Sequence, residues 1–286
     1  MLRLLLCLTL FPFKVFSCTE SGKGFLPEND RKYPVEFKSA GLTLAQYHST
    51  INKFEKVYAP IVRSWGAKLL IDRKWENDTV NAGTLRQNRG KTWVINLYGG
   101  YARHPATTPD SYLLVMCHEI GHHIGGAPKK IIDSKTHWAS TEGQSDYYAT
   151  LKCLRKIFRH DDNASIVRSL PIPESIRTEC AASFRKASDF YLCLRTSFAG
   201  MAVSEVNADI RNMPTPEIDR TDSRIVSTTF NDHPEPQCRL NTYFQGAVCT
   251  VPSIRSVSQV NEMSGTCHPK LKYTKGLRPG CWYRPK

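Results

Sequence analysis

Two histidines four residues apart, with a glutamate directly after the first, constrain this chain more than any other feature. They stand in the stretch VMCHEIGHHIGG, Val115 to Gly126, which gathers His118, Glu119, His122 and His123 just ahead of two glycines. On a helix His118 and His122 lie one turn apart on the same face, so both imidazoles can meet one metal ion. Glu119 then stands beside the metal rather than on it, placed to take a proton from a water that the metal activates. His123 diverges from that face and is not assigned as a ligand. Gly121 removes bulk inside the motif and Gly126 ends the helix in a left-handed conformation, both useful where a second element packs close. HExxH alone also describes a helix whose histidines are simply satisfied at the surface.

A catalytic zinc site takes three protein ligands and leaves one position open. STEGQSDYYAT supplies the third. Glu142 follows His122 by twenty residues, which leaves room for a loop and a returning helix. Thr141 and Gln144 have the spacing of a capping box at the start of that helix. Asp146, four residues after Glu142, shares its face. There it is expected to accept the second ring N–H of a liganding histidine, fixing the tautomer. The implied cofactor is one zinc ion per chain.

HEIGH followed by EGQSD resembles the gluzincin zinc peptidases. The pattern is most similar to the minimal gluzincins, the HtpX-like and CAAX-protease-like family with its periplasmic soluble relatives. That family also carries a downstream His-Pro element with an arginine, and this chain has FNDHPEPQCR, with His233, Pro234 and Arg239. The resemblance runs from about residue 80 to residue 239. It implies a zincin-like fold, ligands His118, His122 and Glu142, Glu119 as base and acid, and Asp146 behind a ligand. His233 is then either a donor to the oxyanion formed from a peptide carbonyl, or a group that reaches the zinc and blocks it, or only part of a helix start. Arg239 is either a second donor to that oxyanion or, the reading preferred, pairs with a carboxylate behind the site. The chain departs from the family in lacking a transmembrane helix and in its cysteine-bearing additions after Asp146.

The N-terminus MLRLLLCLTLFPFKVFSC reads as a secretory signal peptide over residues 1–17, too short in its apolar run to span a bilayer. Ten cysteines fit export. Without Cys7, nine remain, so one is unpaired or otherwise used. VFSC resembles a bacterial lipobox, which would make Cys18 a lipid anchor and leave eight cysteines for up to four bridges. Local pairings, Cys238 with Cys249 and Cys267 with Cys281, are expected. The net charge of +13 is scattered rather than gathered into a patch, which argues against nucleic-acid binding.

The remaining pattern gives an α+β fold. A helix is expected over 42–65 with Leu44, Tyr47, Ile51, Phe54, Val57 and Ile61 as its apolar stripe, followed by three short strands. Thr108 and Pro109 open the HExxH helix. Residues 18–286 form one metallopeptidase domain whose part from about 213 onward is cysteine-rich. The strand TWVINLYGG is the candidate edge for holding an extended peptide, although alternation at Trp93, Ile95 and Leu97 fits an interior strand equally. His48, His104, His137, His160 and His268 are expected at the surface. The expected activity is an exported zinc endopeptidase acting on proteins or peptides in a bacterial periplasm or envelope. The alternative is a zinc-containing or disulfide-stapled envelope binding protein without proteolysis.

Overall fold

The computed structural model describes residues 24–37 and 40–285. The expected signal segment, its cleavage site and Cys18 lie outside the described residues. Helix α1 spans Leu44–Ser64 and opens on a capping box between Thr43 and Gln46. Its buried apolar positions are Tyr47, Ile51, Phe54, Tyr58 and Val62, stepping by three or four residues as a helix face must. The expected stripe drifts off this face. Leu44 is exposed, and Val57 and Ile61 are only partly covered.

Three strands follow, β1 (Lys68–Lys74), β2 (Ala82–Gln87) and β3 (Thr92–Tyr98), in the spatial order β1-β3-β2. β3 runs parallel to β1 and antiparallel to β2. TWVINLYGG is therefore the central strand, bonded on both sides, and cannot take a peptide. Trp93, Val94 and Ile95 are buried in succession, the pattern of a strand covered on both faces rather than one alternating at an edge. The edge on the hairpin side is β2.

After the short helix α2 (Gly99–Arg103) comes α3 (Pro109–Ile124), with Thr108 as N-cap and Pro109 in its first turn as the sequence suggests, and Ser111 completing a capping box. Every residue of α3 from Ser111 to Ile124 is buried. Leu113, Val115, Met116 and Ile120 join the main core with the sheet and α1. An unexpected hairpin follows, β4 (Lys129–Ile132) and β5 (Lys135–Ser140). Its turn residues Asp133 and Ser134 have φ of 49° and 61°, as a tight two-residue hairpin requires.

Helix α4 (Glu142–Tyr148) passes through a π-helical turn at Ala149–Cys153 into α5 (Leu154–Ile157). It packs directly on α3 because Gly121 has no side chain. A Cβ there would come within 3.1 Å of the Ser145 Cα. Four further helices complete the chain, α6 (Asn163–Arg168), α7 (Glu174–Ser183), α8 (Ala187–Ile210) and α9 (Pro236–Val248).

The eight described cysteines form four bridges, Cys117–Cys153, Cys180–Cys193, Cys238–Cys281 and Cys249–Cys267. The two local pairings expected in the tail are thus replaced by nested ones. Cys238 and Cys249 stand at opposite ends of α9, about 16 Å apart along a helix, whereas a bridge needs Cα atoms within about 7 Å. The nested bridges pack with Tyr147, Leu151 and Trp282 in a second core cluster against the returning helix. Among the described residues no helix is long and apolar enough to cross a membrane. The α+β class stands.

Candidate metal centre

His118 and His122 project from one face of α3, and Glu142 meets them from the first turn of α4. The His118 Nε2 atom lies 3.0 Å from His122 Nε2 and 3.1 Å from Glu142 Oε2. His122 Nε2 lies 3.6 Å from the same oxygen. Ligands at zinc-bond lengths around a tetrahedral ion are separated by about 3.3 Å. All three residues are at most 1% exposed.

The outer ring atoms decide which nitrogen faces inward. His118 Nδ1 donates to Asp146 Oδ1 at 2.6 Å. His122 Nδ1 donates to the Ser140 carbonyl at 2.9 Å. Each N–H is thereby fixed on Nδ1, and the Nε2 atoms are left as the positions that could ligate a metal. Glu142 Oε2 is buried and makes no hydrogen bond among the described residues. Two imidazole nitrogens and a carboxylate oxygen without a hydrogen bond, converging in a buried space, fit a zinc ion.

In the protein without a cation, burial pulls the His118 imidazole down, but Asp146 and Glu142 outweigh it and raise its pKa to about 9. His122 stays neutral: burial takes it well below the ordinary histidine range. Burial would raise Glu142, yet His233, Lys130 and His122 hold it well below the usual carboxylate range.

Glu119 is 1% exposed, and its Oε1 has no hydrogen-bond partner among the described residues. Burial raises its carboxyl to about 7, with His118 pulling the other way and Glu142 adding to the rise. That is the range in which a carboxylate both accepts and returns a proton at neutral pH.

Asp146 and Arg239 meet behind His118. Arg239 donates from Nε to Oδ2 and from Nη2 to Oδ1, both at 2.8 Å, and from Nη1 to the Phe25 carbonyl at 2.9 Å. Tyr243 adds its hydroxyl to Asp146 Oδ1 at 2.7 Å. Burial would raise the Asp146 carboxyl, but Arg239 and His118 hold it below its ordinary value. The arginine thus pairs with a carboxylate, as read from the sequence.

His233 comes close without offering a lone pair. Its Nε2 is 3.4 Å from Glu142 Oε2 and donates to the Gly24 carbonyl at 2.7 Å. A carbonyl only accepts, so Nε2 carries the proton in this arrangement. The other ring nitrogen is 2.8 Å from Asp232 Oδ1.

Sequence reasoning missed four residues of the site. Lys130, on β4, donates to Glu142 Oε1 at 2.6 Å. Tyr243 has no motif around it. Gly24 and Phe25 arrive from the start of the described chain, the Phe25 ring standing edge-on to His118 at 4.8 Å. No periodicity in the sequence ties these residues to HEIGH.

His123 is elsewhere, as its position on the helix implied. Its ring is stacked between Trp93 and Trp138, with centroids at 4.5 and 4.7 Å. Nε2 donates to the Thr84 hydroxyl at 2.7 Å, which itself donates to the Val94 carbonyl, while Arg86 donates to Nδ1 at 3.1 Å. Two of the histidines expected at the surface are buried instead. His104 bonds Asp209, and His268 lies against Tyr283. Each has an aromatic neighbour and a polar partner that make burial tolerable.

A second group of metal-type side chains, Asp222, Cys238 and Cys281, holds no free thiol because its two sulfurs are bonded to each other. A groove of about 630 Å³ takes in Lys129, Ile131 and Asn231 but none of the converging donors. Neither competes with the His118–His122–Glu142 centre.

A scan against protein-family models, a search of curated proteins and a search of solved structures each returned no match to the chain. The functional reading therefore rests on the site.

Proposed function

We propose that the chain is an exported zinc-dependent endopeptidase of the minimal gluzincin type, with a zincin-like arrangement of helix, sheet and returning helix. The supporting observation is the convergence of two tautomer-fixed Nε2 atoms and one orphaned carboxylate oxygen within 3.6 Å of one another. His118, His122 and Glu142 hold the ion. A bound zinc supplies Lewis acidity toward a peptide carbonyl and lowers the pKa of a water in its open position.

Glu119, with its carboxyl raised to about 7 by burial, would hold the proton taken from the attacking water and return it to the leaving amine. His233, whose Nε2 donates to the Gly24 carbonyl beside Glu142, is read as holding the start of the described chain against the donor set rather than as a ligand. Asp146 and Arg239 hold His118 in register. Thr84 and Arg86 of β2 tie the sheet to the site helix through His123.

A zinc-binding scaffold without proteolysis is the second reading. A purely structural zinc site closes its fourth position with a protein ligand, whereas the donor group among the described residues has three members. A buried Glu119 whose Oε1 has no hydrogen-bond partner among the described residues also has no part in such a site. The four bridges fit a non-reducing compartment, and we place the protein in a bacterial periplasm or envelope, with Cys18 as a possible lipid anchor. The test is zinc content and cleavage of unfolded casein by wild-type protein and Glu119→Gln in parallel. Cleavage abolished in the variant with zinc retained supports the peptidase; equal cleavage by both overturns it.

A further inference from the structure

The hairpin between the two ligand helices carries a cation into the donor set. Lys130 Nζ donates to Glu142 Oε1 at 2.6 Å, while Glu142 Oε2 faces the two Nε2 atoms. The two oxygens of one carboxylate are thus divided between an ammonium and the metal face. The lysine side chain is 15% exposed and the glutamate 1%, so the ammonium stands at the more open side of a dry site.

Resting on the zinc reading above, we propose that Lys130 is a positioning residue that holds Glu142 to a single metal-binding oxygen and so keeps one coordination position for water. Carboxylates bind divalent ions through one oxygen or through both. Zinc readily expands from four to five ligands. With Oε1 released, a buried glutamate can close on the ion with both oxygens and fill the space a water needs. The ammonium prevents this by geometry, because Oε1 is already engaged. It also balances the carboxylate's charge, so the ion's own charge remains available to act on water.

Lys130 is built into place rather than resting on the surface. Its strand pairs with β5, Lys129 standing opposite Ser140. The Ser140 carbonyl is the atom that fixes His122 Nδ1. Lys129 itself is tied to the Trp138 carbonyl at 3.0 Å and to Ser140 Oγ at 3.3 Å. One hairpin therefore sets both the tautomer of His122 and the denticity of Glu142.

Cobalt(II) in place of zinc reads this directly, because its visible absorption is strong in four-coordinate sites and weaker in five-coordinate ones. The expected result is a strong spectrum in wild-type protein and in Lys130→Arg. In Lys130→Met it weakens although one ion stays bound, and X-ray absorption of the zinc-loaded variant shows an added oxygen ligand. Casein cleavage by Lys130→Met falls about 10- to 100-fold in kcat with KM little changed, and Lys130→Arg recovers most of the loss. Lys130→Gln repeats the comparison should Lys130→Met fail to fold. A cobalt spectrum and a kcat unchanged from wild type in a folded, metal-loaded variant would overturn the proposal and leave the zinc site standing. Wild-type protein that takes up neither cobalt nor zinc would overturn both, and is read before any variant.

Discussion

Asp146 Oδ1 accepts the Nδ1 proton of His118 at 2.6 Å, and this contact joins the metal face of α3 to a buried ion pair. Asp146→Asn keeps the size of the side chain and removes its charge. Arg239, fully buried, is then left without its counter-ion. Breaking such a pair from one side costs about 3–5 kcal/mol. Loss of the carboxylate behind a liganding histidine also weakens metal binding about 10- to 100-fold. Thermal unfolding of the zinc-free protein measures the first effect, and competition against a chelator measures the second. Unchanged values in both would show that Asp146 does not position His118.

Zinc uptake should release a proton. In the cation-free protein His118 holds its second proton up to about pH 9, against an ordinary value of 6.5. A raised folded-state pKa contributes stability that is present below the unfolded value and lost as pH rises through the folded one. His118 therefore stabilises the zinc-free protein below pH about 6.5 and ceases to do so above about 9. Glu119, raised to about 7, acts in the same direction at lower pH. Zinc needs the His118 lone pair, so its affinity rises with pH across that window, by about tenfold per unit for one displaced proton. Calorimetric titration at pH 7.5 in two buffers of different ionisation enthalpy counts the protons released.

His123→Ala separates the stacked histidine from the ligating ones. Removing a ring packed between two indoles, and leaving Thr84 and Arg86 without it, is expected to cost about 3 kcal/mol of stability. Zinc content should remain at one ion per chain, whereas His122→Ala should lose it. Metal analysis alongside denaturant unfolding distinguishes the two variants.

The site was more legible in the sequence than the fold around it. His118, Glu119 and His122 declare themselves because helix geometry turns a four-residue spacing into a shared face. Glu142 and Asp146 repeat that geometry on a second helix, and Gly121 marks where the two helices approach. Lys130 could not be found this way, since it reaches the site from a hairpin whose distance along the chain carries no period; Tyr243 shares a helix face with Arg239, four residues earlier on α9, but a tyrosine at that spacing reads as core. The central place of β3 was missed because alternation at Trp93, Ile95 and Leu97 is shared by edge and interior strands. What distinguishes them is burial of Val94 between those positions, which depends on what covers the second face. The tail bridges were misjudged because Cys238 and Cys249 look close until a helix stands between them.

Metal analysis of residues 19–286 made in an oxidising compartment, with casein cleavage by the same preparations, tests the central claim most directly. The expected result is one zinc per chain in wild-type protein and in Glu119→Gln, with cleavage only by the wild type. Loss of zinc from His118→Ala, His122→Ala and Glu142→Ala should accompany it. Protein that is folded and disulfide-bonded yet binds no zinc would contradict the account.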